Sequence, residues 1–573
     1  MKITQVIIKN WRSIKYVDFK TDAMNIFVGA NNAGKTNIMS AINFLLGDRY
    51  PMPANLLDSD YFLCDKQRDI FIQIDFESEE YSRIDFDTSR EKYALKAYGK
   101  DGRQSYGFNN EHRASLAFAY VDANRSFEKQ FGSSRWSLFG QAIRILHANL
   151  LAQCDDRLPS LRDRLEQAHE LLKTDLYLTF EKEIREAFRD QLKTSRYDLQ
   201  FEFRTIDETN LYRTLFPTLS ERNKSKSPSE TGSGVRNLLV LALFHAFARA
   251  FKGGAILGIE EPELFLHPHA QRSLMGQFES LVAEGNQLFV SSHSSAFLDI
   301  TRPERIIVVE TRLDEEGEYS TLVRTTTQSI LLAKRQQLHP SVQMNENTMR
   351  AFLRNIRTAE MAEPYFSRLV IIVEGESERE ALPVFCEKLG INFDKLGISI
   401  VAAGGKSSID ILAQVYQAHQ IPVYIVFDND KGRRDSHASN RVLCRLLNII
   451  EADTPNPQIT DKFAVMDGDW ESQMSNDLEV VEAGLYLKLE LEARQYLGIG
   501  PKKNKSLVAR YIALQLVNRN IVPDFVERIG GHLRNLAEEL DRSDVPFDEN
   551  SHAQPKASSI EQVDDQWDNN LPF

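Results

Sequence analysis

The sequence predicts an α/β protein with two successive units, each built around a largely parallel sheet. Three observations indicate this fold class. Short apolar runs alternate with helical segments over residues 254–310 and again from residue 369, a spacing typical of strand–helix–strand units. A glycine-rich loop joins an apolar strand to a helix at residues 29–36. Several apolar runs end abruptly in carboxylates, at the edge of a parallel sheet where ligands usually bind.

The composition predicts a folded protein of several domains. The chain has 573 residues, which is too long for one ordinary core, and its net charge is −13. This negative net charge argues against a protein that coats nucleic acid through its overall charge, although a local basic groove can still bind DNA. The four cysteines form no CxxC pair or Cys/His cluster, so we expect no zinc site and a reducing cytoplasm.

Neither a leader nor a membrane span is predicted. The first residues, MKITQVIIKNWRSI, lack the uninterrupted apolar core of a signal peptide. The longest apolar stretch, residues 238–251, contains His245 and Arg249 and is too short to cross a bilayer. We interpret this stretch as a buried helix, and we expect no membrane partner.

The first third of the chain is predicted to change from strands to helices. Residues 1–50 indicate strands at 2–11, 16–20 and 24–30, followed by a helix at 35–47. The short apolar runs over residues 68–125, including 115–123, are consistent with antiparallel strands. Residues 140–205 have a long, charged helical pattern, which predicts either a surface helical pair or an inserted arm that serves dimerisation.

Residues 29–36, GANNAGKT, fit the phosphate-loop pattern of Gly, four residues and Gly-Lys-Ser/Thr. In such a loop the backbone N–H groups curl around phosphate oxygens, and the helix N-terminus adds its dipole. Lys35 would reach the β- and γ-phosphates, and Thr36 would bind Mg²⁺. ATP is therefore the predicted cofactor. The predicted contacts come from Gly29, Asn31, Asn32, Ala33, Gly34, Lys35 and Thr36.

A second acidic strand end accompanies this loop. In AILGIEEPELFLHP, Glu260 stands where such a strand carries its Mg²⁺-directed acid, and Glu261 is the candidate that orients or deprotonates the attacking water. A helix N-terminus that favours negative charge is the alternative explanation. His293 follows the next apolar strand, which predicts a sensor of the γ-phosphate rather than a structural histidine.

These motifs resemble those of ABC-type ATPases of the SMC/RecF kind. The resemblance rests on NWRSIKYVDFK before the phosphate loop, on GIEEPELFLHP and on SSHS. The segment ETGSGVRNLL is similar to the signature segment of that family, with Ser233 and Gly234 opening a helix. In such proteins the signature segment completes the ATP site of a partner head. The resemblance therefore implies a homodimer or a higher homo-oligomer.

The second unit carries four carboxylates at two strand ends. Glu374 follows the strand VIIV, and Glu378 lies one helical turn later. Asp428 and Asp430 end the run VYIVFDND, and alternate residues on an extended segment point the same way. Four carboxylates together would repel one another without a cation, and hard oxygen ligands suit Mg²⁺ or Mn²⁺. A Rossmann-like unit with incidental acids is the alternative.

The combination of Glu-Gly-x-x-Glu with Asp-x-Asp resembles the Toprim domain. An ABC-type head followed by a Toprim domain is similar to the OLD (overcoming lysogenization defect) family of nucleases, to which the nuclease subunit of Gabija-type anti-phage systems is related. The resemblance covers about residues 1–540. It implies late motifs at Glu479, with Asp477 nearby, and at Lys505. Lys406, in AAGGKSS, either faces phosphate or lies in a solvated loop.

The resemblance implies a metal-dependent DNA endonuclease. Glu374, Asp428 and Lys505 would be catalytic, together with Glu261 in the ATPase head. Two Mg²⁺ or Mn²⁺ ions would be held by the metal ligands, which are Glu374, Glu378, Asp428, Asp430 and Glu479, while Thr36 would bind the nucleotide's Mg²⁺. Lys505 would stabilise charge on the transition state.

The implied partners are DNA, a second copy of the chain and a helicase-like protein. Basic stretches at 431–434 and 502–505 are either DNA contacts or ordinary solvated loops. The role implied is anti-phage defence or DNA processing, with ATP regulating cleavage. The alternative is an SMC/RecF-like DNA-binding ATPase whose Toprim-like unit is a docking or sensing module without nuclease activity.

The predicted domain boundaries follow from these motifs. Residues 1–345 form the ATPase head with its helical insertion at about 140–205, residues 346–364 a connector, and residues 365–540 the Toprim domain. Residues 541–573 hold eight acids and two bases without periodicity, which predicts a disordered acidic tail.

Overall fold

The computed structural model describes most of the chain outside the region of the predicted insertion. The described residues are 2–47, 49–90, 93–106, 118–131, 137–143, 217–221, 224–250, 254–356, 359–500 and 503–542, with scattered positions at 108–116 and 160–184. Most of the predicted helical insertion, Lys502 and the tail from residue 543 lie outside these residues.

The described elements alternate between strands and helices. The strands are β1 Lys2–Trp11, β2 Ile14–Lys20, β3 Met24–Val28, β4 Phe71–Glu77, β5 Tyr81–Asp87, β6 Leu95–Gly99, β7 Gln104–Ser105, β8 Phe118–Val121, β9 Leu219–Glu221, β10 Lys224–Lys226, β11 Ile256–Glu260, β12 Gln287–Ser291, β13 Ile306–Leu313, β14 Tyr319–Arg324, β15 Leu369–Val373, β16 Ile398–Ala402, β17 Val423–Asp428, β18 Gln458–Ile459 and β19 Phe463–Met466. The helices are α1 Lys35–Leu46, α2 Phe127–Gln130, α3 Ser233–Ala250, α4 Pro268–Ala283, α5 Gln328–Leu338, α6 Glu346–Ile356, α7 Glu376–Lys388, α8 Phe393–Leu396, α9 Lys406–Ala418, α10 His437–Leu446, α11 Trp470–Glu479, α12 Leu485–Leu497, α13 Lys505–Asn518 and α14 Asp524–Arg542.

An antiparallel sheet forms the first layer of the head. Its order is β2-β1-β4-β5-β6-β7. Strand β1 alternates in burial over much of its length, because one face packs on the core and the other faces water. The buried side of α1, with Ile38 and Ile42, packs into the same apolar cluster as Val6 and Ile8 of this sheet.

The second layer of the head is a mostly parallel sheet of order β14-β13-β3-β12-β11-β8. Strand β3, which ends at the phosphate loop, lies between β12 and β13 and is buried throughout. One prediction is wrong here. Residues 118–121 do not join the antiparallel sheet, because β8 pairs in parallel with β11. The apolar run alone could not distinguish the two pairings.

The third sheet belongs to the second unit and has the order β16-β15-β17-β19-β18. Strands β15, β16, β17 and β19 are parallel, and β18 pairs antiparallel with β19. One apolar cluster contains residues of both units, such as Ile26 of β3 and Ile425 of β17. The predicted α/β fold class, with two successive units that each contain a largely parallel sheet, is confirmed.

The connector predicted over 346–364 is helical in its described residues. Helix α6 is followed by a 3-10 turn at Ala359–Phe366. None of the described helices is long and apolar enough to cross a membrane. Helix α3 contains residues 238–250 of the long apolar stretch, but Leu238 is 52% exposed, so the described part of the stretch is buried on one side only.

Candidate functional site

The phosphate loop lies between β3 and α1 and is shaped by two glycines with positive φ. Gly29 has φ 146°, and a Cβ there would lie 1.9 Å from the Val309 carbonyl oxygen. Gly34 has φ 109°, and a Cβ there would lie 2.2 Å from Thr321 Oγ1. Both contacts come from the β13–β14 hairpin, so only glycine fits at these positions. In between, the loop exposes Asn31 and Asn32 and buries Ala33.

Lys35 is folded back onto this loop. Its Nζ donates to the carbonyl oxygens of Gly29 at 2.9 Å and of Ala30 at 2.8 Å. Burial lowers the pKa of Lys35 to about 8, against the opposing effect of acids that include Glu261. A nucleotide phosphate would offer this ammonium a better partner than neutral carbonyls.

The acid of the neighbouring strand lies beside the start of α1. Glu260 ends β11 and is buried, and burial raises its pKa, while hydrogen bonds with Tyr120 and Thr36 act in the opposite direction. A carboxylate next to a threonine hydroxyl is a donor set that suits Mg²⁺. The structure thus brings Thr36 and Glu260 together, as the two motifs predict.

Glu261 and His293 lie side by side next to the loop. The Glu261 backbone has φ 43°, and its Oε1 lies 3.9 Å from His293 Nε2. The His293 N–H donates to Glu263 Oε1 at 2.5 Å, which fixes the backbone of the histidine. Burial and the charge of Lys35 lower the pKa of His293. A neutral imidazole has one N–H to donate, which is what the predicted contact with a terminal phosphate requires.

Arg125 is a residue of this site that the sequence did not reveal. It follows β8 and is buried, and its guanidinium donates to the carbonyl oxygens of Glu260, at 2.7 Å, and of Glu261. The same group donates to the side chain of Asn237 on α3. Arg125 therefore joins the acidic loop to the helix that Ser233 and Gly234 open. A lone arginine after an apolar run gives no signal of such a role.

The predicted signature residues lie at the start of α3. Ser233 is exposed, and a Cβ on Gly234 would lie 3.9 Å from the Phe265 carbonyl oxygen. Their predicted function is to complete the nucleotide site of a second copy, and an exposed helix start is accessible for that contact.

Four acids of the second unit meet at the carboxyl edge of its sheet. Strands β15 and β17 are neighbours, with Val373 opposite Val426, so Glu374 and Asp428 end up adjacent. Glu374 Oε2 accepts a hydrogen bond from the Asp428 N–H at 3.3 Å. We call Glu374, Glu378, Asp428 and Asp430 the acidic cluster.

The first turn of α7 supplies Glu378 to the cluster. Its Oε2 accepts a hydrogen bond from the Gly375 N–H at 3.1 Å, so the side chain folds back over the end of β15. Asp430 lies just past β17, where φ of 49° turns the chain back toward Lys406.

The electrostatics of the acidic cluster favour a bound cation. Burial raises the pKa of Asp428 to about 9, and the charges of Glu378 and Glu374 add to this effect. Burial likewise raises the pKa of Glu378 to about 7. Asp428 Oδ1 is buried and has no hydrogen-bond partner among the described residues. A divalent ion would satisfy this oxygen and restore the ionised carboxylates, so these residues fit Mg²⁺ or Mn²⁺.

Lys406 lies inside the acidic cluster. It begins α9, is 6% exposed, and its Nζ donates to Asp430 Oδ2 and, at 2.5 Å, to the Asp428 carbonyl oxygen. Glu374 Oε2 lies 3.7 Å from the same nitrogen. The solvated-loop alternative for Lys406 is therefore wrong. Although burial acts in the opposite direction, Lys406 and Ser436 hold the pKa of Asp430 below its usual range.

A further pair of acids flanks the cluster at the start of α11. Glu471 Oε1 lies 3.4 Å from Ser377 Oγ and 3.2 Å from Lys505 Nζ. Asp469, the N-cap of α11, has its Oδ2 3.7 Å from the guanidinium of Arg433. The sequence signal for both acids was the run MDGDWES, which begins at the last residue of β19. This run resembles the other two strand ends that carry acids.

The structure brings Lys505 to the site but not Glu479. Glu479 ends α11, about 12 Å along the helix from Glu471. Its carboxylate accepts a hydrogen bond from the Gly484 N–H at 2.8 Å. Asp477 accepts one from the Phe525 N–H at 3.0 Å. Of the acids on α11, it is Glu471 that lies beside the acidic cluster, in the position that the resemblance implied for Glu479.

Exposed basic side chains lie beside the acidic cluster and the acids that flank it. Residues 431–434 are exposed, and Arg433 reaches Asp430 Oδ1 at 3.2 Å with a side chain that is 62% accessible. Lys505, which contacts Glu471, is also exposed, as is Lys503. A polyanion that approached the acids would meet these cations first.

Comparisons with known proteins match both units. An AAA ATPase domain family matches residues 1–116 and 89–298, which together are more than half of the chain. A family described as overcoming lysogenization defect protein-like, TOPRIM domain, matches residues 365–430, which include the whole acidic cluster.

Curated relatives cover most of the chain at low identity. The OLD nuclease of Thermus scotoductus is 25% identical over 75% of this chain and 82% of its own length. The Old nuclease of Escherichia phage P2 is 22% identical over 75% of this chain and 77% of its own. The endonuclease GajA of Bacillus cereus is 20% identical over 71% of each.

Proposed function

Because the chain belongs to the AAA ATPase domain family and carries an OLD-like TOPRIM domain after it, we propose that it is an ATP-regulated, divalent-metal-dependent DNA endonuclease. The resemblance to the OLD family is confirmed by these matches, and the domain pair makes the chain an ATPase and a nuclease. The observation that carries the finer proposal is the convergence of three buried carboxylates and the half-buried Glu374, where Asp428 Oδ1 has no hydrogen-bond partner among the described residues.

The acids and Lys505 would have different roles in phosphodiester hydrolysis. Glu374, Glu378, Asp428 and Asp430 would hold two Mg²⁺ or Mn²⁺ ions, with Glu471 as a fifth acid. Bound metal supplies a nucleophilic water at neutral pH and charge stabilisation on the phosphate. Lys505 would neutralise charge that develops on the phosphate oxygens. Its contact with Glu471 holds its ammonium at the edge of the site.

The exposed cations would position the DNA backbone. Arg433 contacts Asp430, and Lys505 contacts Glu471, so a strand bound by both cations would lie next to these acids. Phosphate contacts fix the position of DNA without reading its sequence. The net charge of −13 supports binding through this local patch rather than through the whole surface.

The ATPase head would act as the regulatory unit. Lys35 and Thr36 would hold the phosphates and Mg²⁺, Glu260 would complete the metal ligands, and Glu261 would orient the attacking water, with His293 at the terminal phosphate. Ser233 and Gly234 would close the site of a second copy, which makes a homodimer the working form. Defence against phage, with a helicase-like partner protein, is the role that the family resemblance implies.

A plasmid-nicking assay tests this proposal. Supercoiled DNA is incubated with the protein and Mg²⁺ or Mn²⁺, with and without ATP. We expect metal-dependent nicking that falls to the metal-free background in Glu374→Ala and Asp428→Ala. Glu376→Gln is the matched control, because Glu376 shares α7 with Glu378 but is exposed and paired with Arg379 at 3.2 Å. It should cut like the wild type.

Two outcomes would contradict the proposal. If folded wild-type protein cuts nothing with either ion and any nucleotide, the Toprim unit is a docking or sensing module of an SMC/RecF-like DNA-binding ATPase. If cutting survives both alanine substitutions, the acidic cluster is not the nuclease site.

A further inference from the structure

Lys406 is a buried cation placed among the acids that would hold metal. Its Nζ reaches the Asp430 carboxylate, the Asp428 carbonyl oxygen at 2.5 Å and Glu374 Oε2 at 3.7 Å. Asp430 and Glu374 contribute carboxylates, of which that of Asp430 is buried and that of Glu374 is half-buried. The ammonium thus stands where the positive charge of a metal ion is required.

The charge of Lys406 is compensated by the acidic cluster rather than by water. The side chain is 5% exposed, so water contributes little to its solvation. Arg433, which also reaches Asp430, is 62% exposed and approaches from the solvent side. A buried charge without a partner is costly, and here ammonium and carboxylates compensate one another.

We propose that Lys406 is a built-in counter-ion that occupies the cation position of the acidic cluster and is displaced when a divalent metal ion binds. This inference rests on the proposed nuclease function. The two cations compete for this position, because a divalent ion bound to Asp430 Oδ2 and Glu374 Oε2 would be repelled by an ammonium that contacts the same oxygens. Lys406 therefore sets the metal affinity of the site and holds the cluster together in the metal-free protein.

The placement of Lys406 makes displacement feasible. It is the first residue of α9, after Gly404 and Gly405, and no atom would contact a Cβ within 4 Å at either glycine. A flexible four-carbon side chain at an open helix start can swing outward while the helix stays in place. Displaced in that direction, the ammonium would lie near the bound phosphate backbone.

The test measures metal affinity and does not depend on cleavage. Mn²⁺ is titrated calorimetrically into nucleotide-free wild-type, Lys406→Met and Lys406→Arg proteins. Loss of the competing ammonium should tighten Mn²⁺ binding in Lys406→Met by roughly 10- to 100-fold, the factor expected for one hydrogen bond to a charged group. Lys406→Arg keeps the charge and should bind Mn²⁺ as the wild type does.

A second neutral variant guards against a folding defect. Lys406→Gln should also bind Mn²⁺ more tightly, and its melting temperature should rise more on addition of Mn²⁺ than that of the wild type. Unchanged or weaker Mn²⁺ binding in folded Met and Gln variants would overturn the inference. If wild-type protein binds Mn²⁺ and nicks DNA while the variants bind equally, only the counter-ion role fails. If wild-type protein neither binds Mn²⁺ nor nicks DNA, the nuclease function fails with it.

Discussion

Lys406 and His419 lie at opposite ends of one helix, and each is tied to a different functional unit. Lys406 starts α9 inside the acidic cluster, and His419 follows its last residue. His419 Nε2 lies 3.1 Å from the Pro303 carbonyl oxygen and 3.2 Å from that of Ile306, where β13 of the head begins. Because 13 helical residues span about 20 Å, α9 is a rigid connection between the head and the acidic cluster.

The same helix is held to the head near its centre, and breaking that contact should uncouple the units. Asp410 Oδ2 accepts from Arg335 at 2.8 Å and lies 2.6 Å from His339 Nε2. Asp410→Asn leaves a buried guanidinium without its carboxylate, so unfolding free energy should fall by about 3 kcal/mol. Denaturant titration measures this loss.

The loss of coupling between the head and the acidic cluster can be measured separately from the loss of stability. In wild-type protein we expect a nonhydrolysable ATP analogue to change Mn²⁺ affinity, and Asp410→Asn should abolish that change. Glu346→Gln is the control, because its exposed contact with Arg350 at 3.8 Å contributes little. A nucleotide effect that persists in folded Asp410→Asn would show that α9 does not carry the coupling.

Lys35→Ala should abolish ATP hydrolysis. The substitution removes the ammonium that would hold the β- and γ-phosphates, while the glycines that shape the loop stay in place. Phosphate release measures turnover, and nucleotide-free Mn²⁺ binding at the acidic cluster should stay as in the wild type. Turnover that is unchanged in this variant would remove the nucleotide-site assignment.

Arg125→Lys should slow ATP turnover with little change in KM. Arg125 uses one guanidinium nitrogen for Asn237 and the other for the Glu260 and Glu261 carbonyls, and the single nitrogen of a lysine cannot reproduce this fork, so the acidic loop loses its fixed position. A displacement of about 1 Å at a reacting group costs roughly 100-fold in rate. Steady-state kinetics separate kcat from KM, and Asn237→Ala should show a weaker effect of the same kind. A raised KM with normal kcat would assign Arg125 to nucleotide binding instead.

The metal-free protein should lose stability as the pH rises from about 4.5 to 9. In the folded state the pKa of Glu378 is raised to about 7 and that of Asp428 to about 9. The folded state therefore binds more protons than the unfolded state in this window, and its stability falls with pH. Melting temperatures in EDTA at several pH values measure the slope. Glu378→Gln should flatten it between pH 5 and 7, and saturating Mg²⁺ should remove it. Stability that rises with pH in EDTA would contradict the pKa shifts.

The strand ends that carry local motifs could be predicted, and the contacts that join distant segments could not. The phosphate loop, Glu260 and the acids from Glu374 to Asp430 each follow an apolar run, so their position at a sheet edge follows from strand pattern alone. The pairing of β8 could not be predicted, because an apolar run fits either neighbour. Arg125 and Lys406 act through partners that lie 112 and 24 residues away, which no local pattern encodes.

The family resemblance and the structure assign different residues as the fifth acid beside the acidic cluster. MDGDWES offers Glu471 directly after β19, and SNDLEVV offers Glu479 at the other end of α11. Because Glu471 contacts Ser377 and Lys505, Glu471→Gln should weaken Mn²⁺ binding and reduce nicking, whereas Glu479→Gln should change neither. Calorimetry and the nicking assay measure the two effects in parallel. Glu479 lies about 12 Å away along the helix and accepts only the Gly484 N–H in the described contacts, so its substitution is the matched control. The opposite result, with Glu479→Gln inactive and Glu471→Gln normal, would require α11 to move by more than two turns when metal and DNA bind, and would restore the assignment that the family resemblance implied.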